Sequence, residues 1–230
     1  MGGKFNVLYQ YYSSESAMKK TSLFCGLLLA SGLALAQQPG FYVGASIGQA
    51  SVDSDSSNLA SQLTSAGASN VSVSQDDSDT AWKIYGGYQF NPYLGIEGGY
   101  ADLGKYTASA TGRIGTNGFT ASGDVDAYAI FADLVGHLPL MDNSLSIFGK
   151  VGMAYTKTKL NASASAAGFS ASASDSDSEV VPKLGIGARY NFTKQFAIRA
   201  EYEWYFNVGD ESKTGESDIS VWSIGATFGF

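Results

Sequence analysis

The chain holds very little of the chemistry by which enzymes are usually recognised. Among 230 residues there is one cysteine, Cys25, and one histidine, His137. A lone cysteine cannot build a disulfide framework. A lone histidine without cysteine partners cannot build a structural zinc site. Barrel enzymes of membranes need a histidine beside Asp or Ser at the outer rim. His137 stands instead at the short-turn end of its strand, beside Pro139. No glycine-rich phosphate loop leads from a strand into a helix. The acids Asp53, Asp55, Asp76, Asp77, Asp79, Asp175 and Asp177 lack the spacing of a calcium loop and read as solvated loop charges. The expectation is a protein that is not an enzyme, with no catalytic residue, metal or cofactor.

Charge is also scarce. Charged residues make up 15% of the chain, against about 25% in soluble domains. The net charge is −7 with no basic patch, which argues against nucleic acid as a partner. Past the N-terminal region no stretch approaches the ~18 unbroken apolar residues of a membrane helix. If the chain crosses a membrane there, it does so as strands.

The N-terminal region has its own pattern. "MKKTSLFCGLLLASGLALA", residues 18–36, joins two lysines, a short apolar stretch and an Ala34-Leu35-Ala36 ending, the three parts of a secretory signal peptide. Cys25 follows Phe24, so it is not a lipid-attachment cysteine. The expected division is an upstream mis-start segment over 1–17, a signal peptide over 18–36, and one barrel domain over 37–230.

Eight segments of bilayer-crossing length follow. They are 41–51, 81–90, 93–106, 127–138, 145–160, 180–192, 196–206 and 219–230. Short connectors (Asn91-Pro92, Pro139 to Ser144, Thr193 to Gln195) alternate with long ones over 52–80, 107–126, 161–179 and 207–218. That alternation is expected of an all-β, eight-stranded antiparallel up-and-down transmembrane β-barrel, with short periplasmic turns and long outer loops. The long loops are mostly Ser, Ala, Gly, Thr, Asn and Asp, and "SASASAAGFSASASDSDSE" reads as a low-complexity segment that cannot order itself. Phe119 and Phe169 are large apolar residues of these loops and read as incidental.

Period-2 alternation separates two faces. One carries Phe41, Val43, Ile47, Ile84, Ile130, Val151, Leu184, Ile198, Ile224 and their like, without a charge. The other carries Lys83, Glu97, Asp133, Lys150, Lys183, Arg189, Arg199, Glu201 and Glu203. In a soluble sandwich the apolar face would be the core. In a membrane barrel it meets lipid and the charges face the lumen. Eight strands leave an interior only wide enough for side chains, so ions there must pair, and a plugged lumen is expected. Trp82, Trp204 and Trp222 fall near the outer ends of their strands, and Phe41, Phe90, Tyr93, Phe192, Phe196 and Phe230 near the short turns. These are two aromatic girdles.

Particular motifs carry a resemblance. "GGYQFNPYLGIEGGYADLG" (86–104) resembles the second hairpin of the OmpA transmembrane domain, and "AIRAEYEWYFNVGD" (197–210) its seventh strand and following loop. The terminal "SIGATFGF" resembles the C-terminal signal read by the outer-membrane assembly machinery, which here would be Phe228 and Phe230. The resemblance implies an interior pair between Glu97 and Arg199. It also implies reversed charges at Asp133 and Arg189, where that family has a lysine and a glutamate. The expectation is a barrel alone, without the peptidoglycan-binding domain of full OmpA proteins, in the outer membrane of a Gram-negative bacterium. Its surroundings would be membrane lipid and lipopolysaccharide, with extracellular ligands meeting the loops. Two functions follow from this: a structural and surface-interaction barrel, or a narrow low-conductance channel for small solutes or ions.

Overall fold

The computed structural model describes residues 39–52, 56–65, 67–140, 144–209 and 217–230. The expected signal peptide and mis-start segment lie outside the described residues. Among these residues are nine strands and one helix. They are β1 (Gly40–Val52), α1 (Ser56–Ser65), β2 (Ser69–Asp76), β3 (Ser78–Asn91), β4 (Leu94–Ile114), β5 (Asn117–Leu140), β6 (Leu145–Ala166), β7 (Phe169–Asn191), β8 (Phe196–Val208) and β9 (Ser217–Gly229).

All strand pairings are antiparallel, in the order β2-β4-β3-β1-β9-β8-β7-β6-β5, and a β4–β5 pairing closes the ring. The closed barrel has eight strands. The ninth, β2, pairs only with the upper part of β4, from Ser69↔Arg113 to Asp76↔Thr107. It continues the line of β3 past a break at Asp77, whose carbonyl accepts the Val52 N–H at 2.9 Å. The facing strand bulges here between Asp102 and Lys105, with Gly104 at φ +86°. A bulge shifts the side-chain alternation by one residue. Leu103 keeps the buried parity of Ala101, and past the bulge the buried position moves to Tyr106, three residues on.

The short turns are closed by their own side chains. Asn91 Oδ1 accepts the N–H groups of Tyr93 (2.9 Å) and Leu94 (3.0 Å). Thr193 Oγ1 accepts those of Gln195 (3.2 Å) and Phe196 (2.9 Å). Both are the local turns that Asn and Thr favour.

The outer connectors depart from expectation. The stretches 107–126 and 161–179 are strand that turns over in tight hairpins, not disordered loop. β4 and β5 pair out to Ile114↔Asn117, and β6 and β7 out to Ala166↔Phe169. The 52–80 connector contains α1 and β2. The reason is that ladder hydrogen bonds join backbones, and alternating Ser and Ala fit a pleated strand without needing an apolar core. At the β6–β7 tip Ala167 and Gly168 take φ +51° and +82°, the positive pair demanded by a two-residue hairpin whose twist matches its strands. Lower on this outer sheet Asp124 accepts a hydrogen bond from Asn161 (3.0 Å) and ion-pairs with Lys105 (3.0 Å). The Asn161 amide, with Lys105, holds the Asp124 carboxyl below its usual range.

Candidate functional site

The barrel wall sorts its side chains as a membrane demands. Phe41, Val43, Ile47, Ile84, Ile130, Val151, Ile186 and Ile224 are exposed on the outside. Inside are Lys83, Glu97, Asp133, Lys150, Lys183, Arg189, Arg199, Glu201 and Glu203, all buried. Trp82 and Trp222 face outward and Trp204 is half-buried. Trp82 packs on Tyr100 at 5.5 Å between centroids, Trp204 on Tyr202 at 4.5 Å, and Trp222 Nε1 donates to Gln49 Oε1 at 3.3 Å. Phe228 and Phe230 lie at the short-turn end, exposed, with rings 5.3 Å apart. The Phe230 N–H reaches back to the Phe41 carbonyl at 3.0 Å.

Eight of the nine interior charges form one connected set. Arg199 grips Glu97 with both terminal nitrogens, Nη1 to Oε2 at 2.7 Å and Nη2 to Oε1 at 3.1 Å. Its Nε donates to Glu201 Oε1. Lys150 Nζ touches three acids: Glu97 and Glu201, each at 2.6 Å, and Glu203 at 3.3 Å. Lys83 bridges Glu201 (2.8 Å) and Glu203 (2.7 Å). Lys183 joins Glu203 (2.8 Å) to Asp133. Forked contacts from a planar guanidinium are the strongest of such pairs, and every lysine here has at least two acids.

Strand alternation explains the convergence. Arg199, Glu201 and Glu203 are alternate residues of β8, so all three project to one side. They meet Lys183 from β7, Lys150 from β6, Asp133 from β5, Glu97 from β4 and Lys83 from β3. No single hairpin holds a complete pairing set. The network ties six strands of the ring together.

Interior aromatics complete the site, and sequence reasoning missed their part. Tyr42, Tyr85, Phe131, Phe148 and Tyr205 are buried on the charged side. Arg199 Cζ lies 4.3 Å from the Tyr85 ring centre and 5.0 Å from that of Phe148. Lys183 Nζ lies 4.2 Å from the Phe131 ring. A cation over a ring face gains electrostatically, most where water is excluded. The Tyr42 hydroxyl donates to Glu97 Oε2 at 3.2 Å. Gly44, Gly87 and Gly187 sit against the rings of Tyr85, Tyr42 and Phe148, where a Cβ would collide. The signal was available: these aromatics share the charges' parity, and glycines share it too.

On the outer side of the network is a small cavity lined by Ser46, Lys83, Leu103, Glu203, Tyr205 and Ser223, among others. The Ser46 and Ser223 hydroxyls are buried without partners among the described residues. Two unpaired hydroxyls facing so small a space suit a single bridging water. His137 lies toward the short-turn end, with its ring 5.5 Å from that of Phe148.

A closed antiparallel barrel, apolar outside, aromatic at both ends and ion-paired within, defines a small integral outer-membrane β-barrel. The chain belongs to the family of the OmpA-like transmembrane domain, whose model matches residues 36–230. It is similar to outer membrane protein A of Escherichia coli O157:H7, 25% identical, with 93% of this chain and 55% of that protein covered. It is also similar to outer membrane protein A of Klebsiella aerogenes, 28% identical, with 93% of this chain and 56% of that protein covered. The chain thus spans about half the length of the curated relatives it matches. Among solved structures it resembles the N-terminal β-barrel domain of Pseudomonas aeruginosa OprF. That likeness is 13% identical, covers 84% of this chain and 100% of that one, and has a TM-score of 0.46.

Proposed function

We propose that this barrel is a structural and surface-interaction element of the outer membrane, with a lumen closed by its own ion network. One observation carries the reading: eight interior charges from six strands pair with one another in a buried, connected set. An ion pathway would have to break pairs that cost several kcal/mol each to leave unmatched. The outer sheet, raised on a rigid barrel, is where contact with other molecules falls. At its tip Phe169 is 82% exposed and pairs with Ala166, which pairs on its other side with Phe119. Lipopolysaccharide surrounds the outer girdle, the signal peptide over 18–36 exports the chain, and Phe228 and Phe230 present the C-terminal signal to the assembly machinery. No catalytic role is assigned, since the one histidine is packed against Phe148 away from the outer rim.

A second reading, a narrow low-conductance channel, draws on one feature. Lys150 already contacts three acids and Glu97 already has two cations, so pairs can exchange without stranding a charge. Single-channel recording of refolded protein in planar bilayers separates the two. The closed reading expects no steps above baseline in wild type and small steps in Arg199→Ala. Steps in wild type that persist unchanged in Arg199→Ala contradict both the plug and its gating by this pair.

A further inference from the structure

Among the described residues the interior holds five buried cations and four buried acids, and the odd cation is Arg189. It is 8% exposed and forms no ion pair among the described residues. Its Nε donates to Asn191 Oδ1 at 3.0 Å. That bond draws the guanidinium toward the short-turn, periplasmic end of β7. Directly across the β7–β8 pairing stands Arg199, a like charge. Arg199 holds Glu97 and Glu201, and neither acid reaches Arg189. A buried cation in this state costs several kcal/mol unless something neutralises it.

A second buried nitrogen belongs to the same end. His137 Nε2 has no hydrogen-bond partner among the described residues. Arg189 pairs with Ser146, and Ser146 with Pro139, two residues along β5 from His137. Arg189 and His137 therefore line the same inner wall two strands apart, roughly 10 Å between backbones. Ser146, between them on β6, is buried and also inward. Gln89 Oε1, the other buried unpaired atom at this end, is an acceptor on β3. It lies two strands to the other side of His137.

We propose that the periplasmic mouth of the lumen holds a small inorganic anion between the Arg189 terminal nitrogens and His137 Nε2. The chemistry is that of chloride or inorganic phosphate: a compact negative charge accepting several N–H donors. Such an ion supplies the countercharge that no described residue gives Arg189, and gives the buried imidazole nitrogen a partner. The site is distinct from the eight-charge network and does not depend on whether the lumen conducts.

His137 is the only histidine, so its ring resonances report this position without ambiguity. Refolded barrel in detergent micelles is titrated with sodium chloride, and separately with sodium phosphate, at constant ionic strength against sodium gluconate. The His137 ring and Arg189 Nε–H resonances shift along a saturating curve with at least one of the two ions. In Arg189→Gln and Arg189→Met the saturating shift of His137 is lost. The same titration raises the urea midpoint of the wild type but not of either variant. This second readout is taken only on variants that keep folded, heat-modifiable gel mobility. Linear, non-saturating shifts in wild type with both ions overturn the proposal. So does an unchanged His137 curve in a folded Arg189 variant.

Discussion

Glu203→Gln lowers the unfolding free energy of the barrel in lipid vesicles by about 3–5 kcal/mol. Glu203, like Glu201, is shared by three cations: its two oxygens hold Lys83 (2.7 Å), Lys183 (2.8 Å) and Lys150 (3.3 Å), and it is 1% exposed. The glutamine has the same shape but no charge, so packing is kept while three ammonium groups lose a common partner. Lys183 retains only Asp133, and Lys83 only Glu201. Removing one member of a buried set exposes the desolvation cost of the rest, whereas removing both members of a pair is far cheaper. Glu203→Gln combined with Lys183→Met is accordingly less destabilised than the sum of the two single changes. Urea titration followed by heat-dependent gel mobility and tryptophan fluorescence measures the set. Additive losses would mean that Glu203 and Lys183 do not act through each other.

Val151→Arg costs about 2–4 kcal/mol, the cost of a cation facing hydrocarbon at mid-depth. Val151 is 55% exposed and sits on β6 between Leu134 and Leu184 of the adjacent strands. In a water-soluble protein the same change at an exposed site would fall within about 0.5 kcal/mol. The control is Ser172→Arg on the outer sheet, where β7 is exposed beyond the girdles. There the loss stays within about 0.5 kcal/mol. Equal, small losses at the two positions would place Val151 in water.

Both predictions rest on an alternation that is legible in the amino-acid sequence itself. In β8 the residues from Phe196 to Trp204 are apolar at even positions, while Arg199, Glu201 and Glu203 take odd ones, and that parity decides which side each occupies. Turn chemistry at Asn91 and Thr193 marks where the barrel strands end on the short-turn side. On the outer side the same logic had no purchase. Between Asn161 and Asp177 the strands alternate mainly Ala with Ser, side chains too small to mark a buried apolar face, yet backbone pairing runs to Ala166↔Phe169. β2 and the bulge at Gly104 were hidden for a related reason: they depend on pairing with β4, not on local pattern. The interior rings of Tyr85, Phe131 and Phe148 were legible as residues on the charged face. Their seats over Arg199 and Lys183 arise only when strands are brought together across the ring.

If the apolar face meets lipid and the charges form the core, the two sides of one strand pair must differ in what they collide with. Single cysteines introduced on β6 and β7 and spin-labelled in lipid vesicles read this out. Collision rates are measured with oxygen, which partitions into hydrocarbon, and with a polar nickel chelate, which stays in water. At Val151 and Ile186, both exposed on the barrel wall, collisions with oxygen are expected to be frequent and those with the chelate few. At Ser172 on the outer sheet the reverse is expected. Chelate collisions at Val151 and Ile186 as frequent as those at Ser172 would contradict a lipid-facing wall.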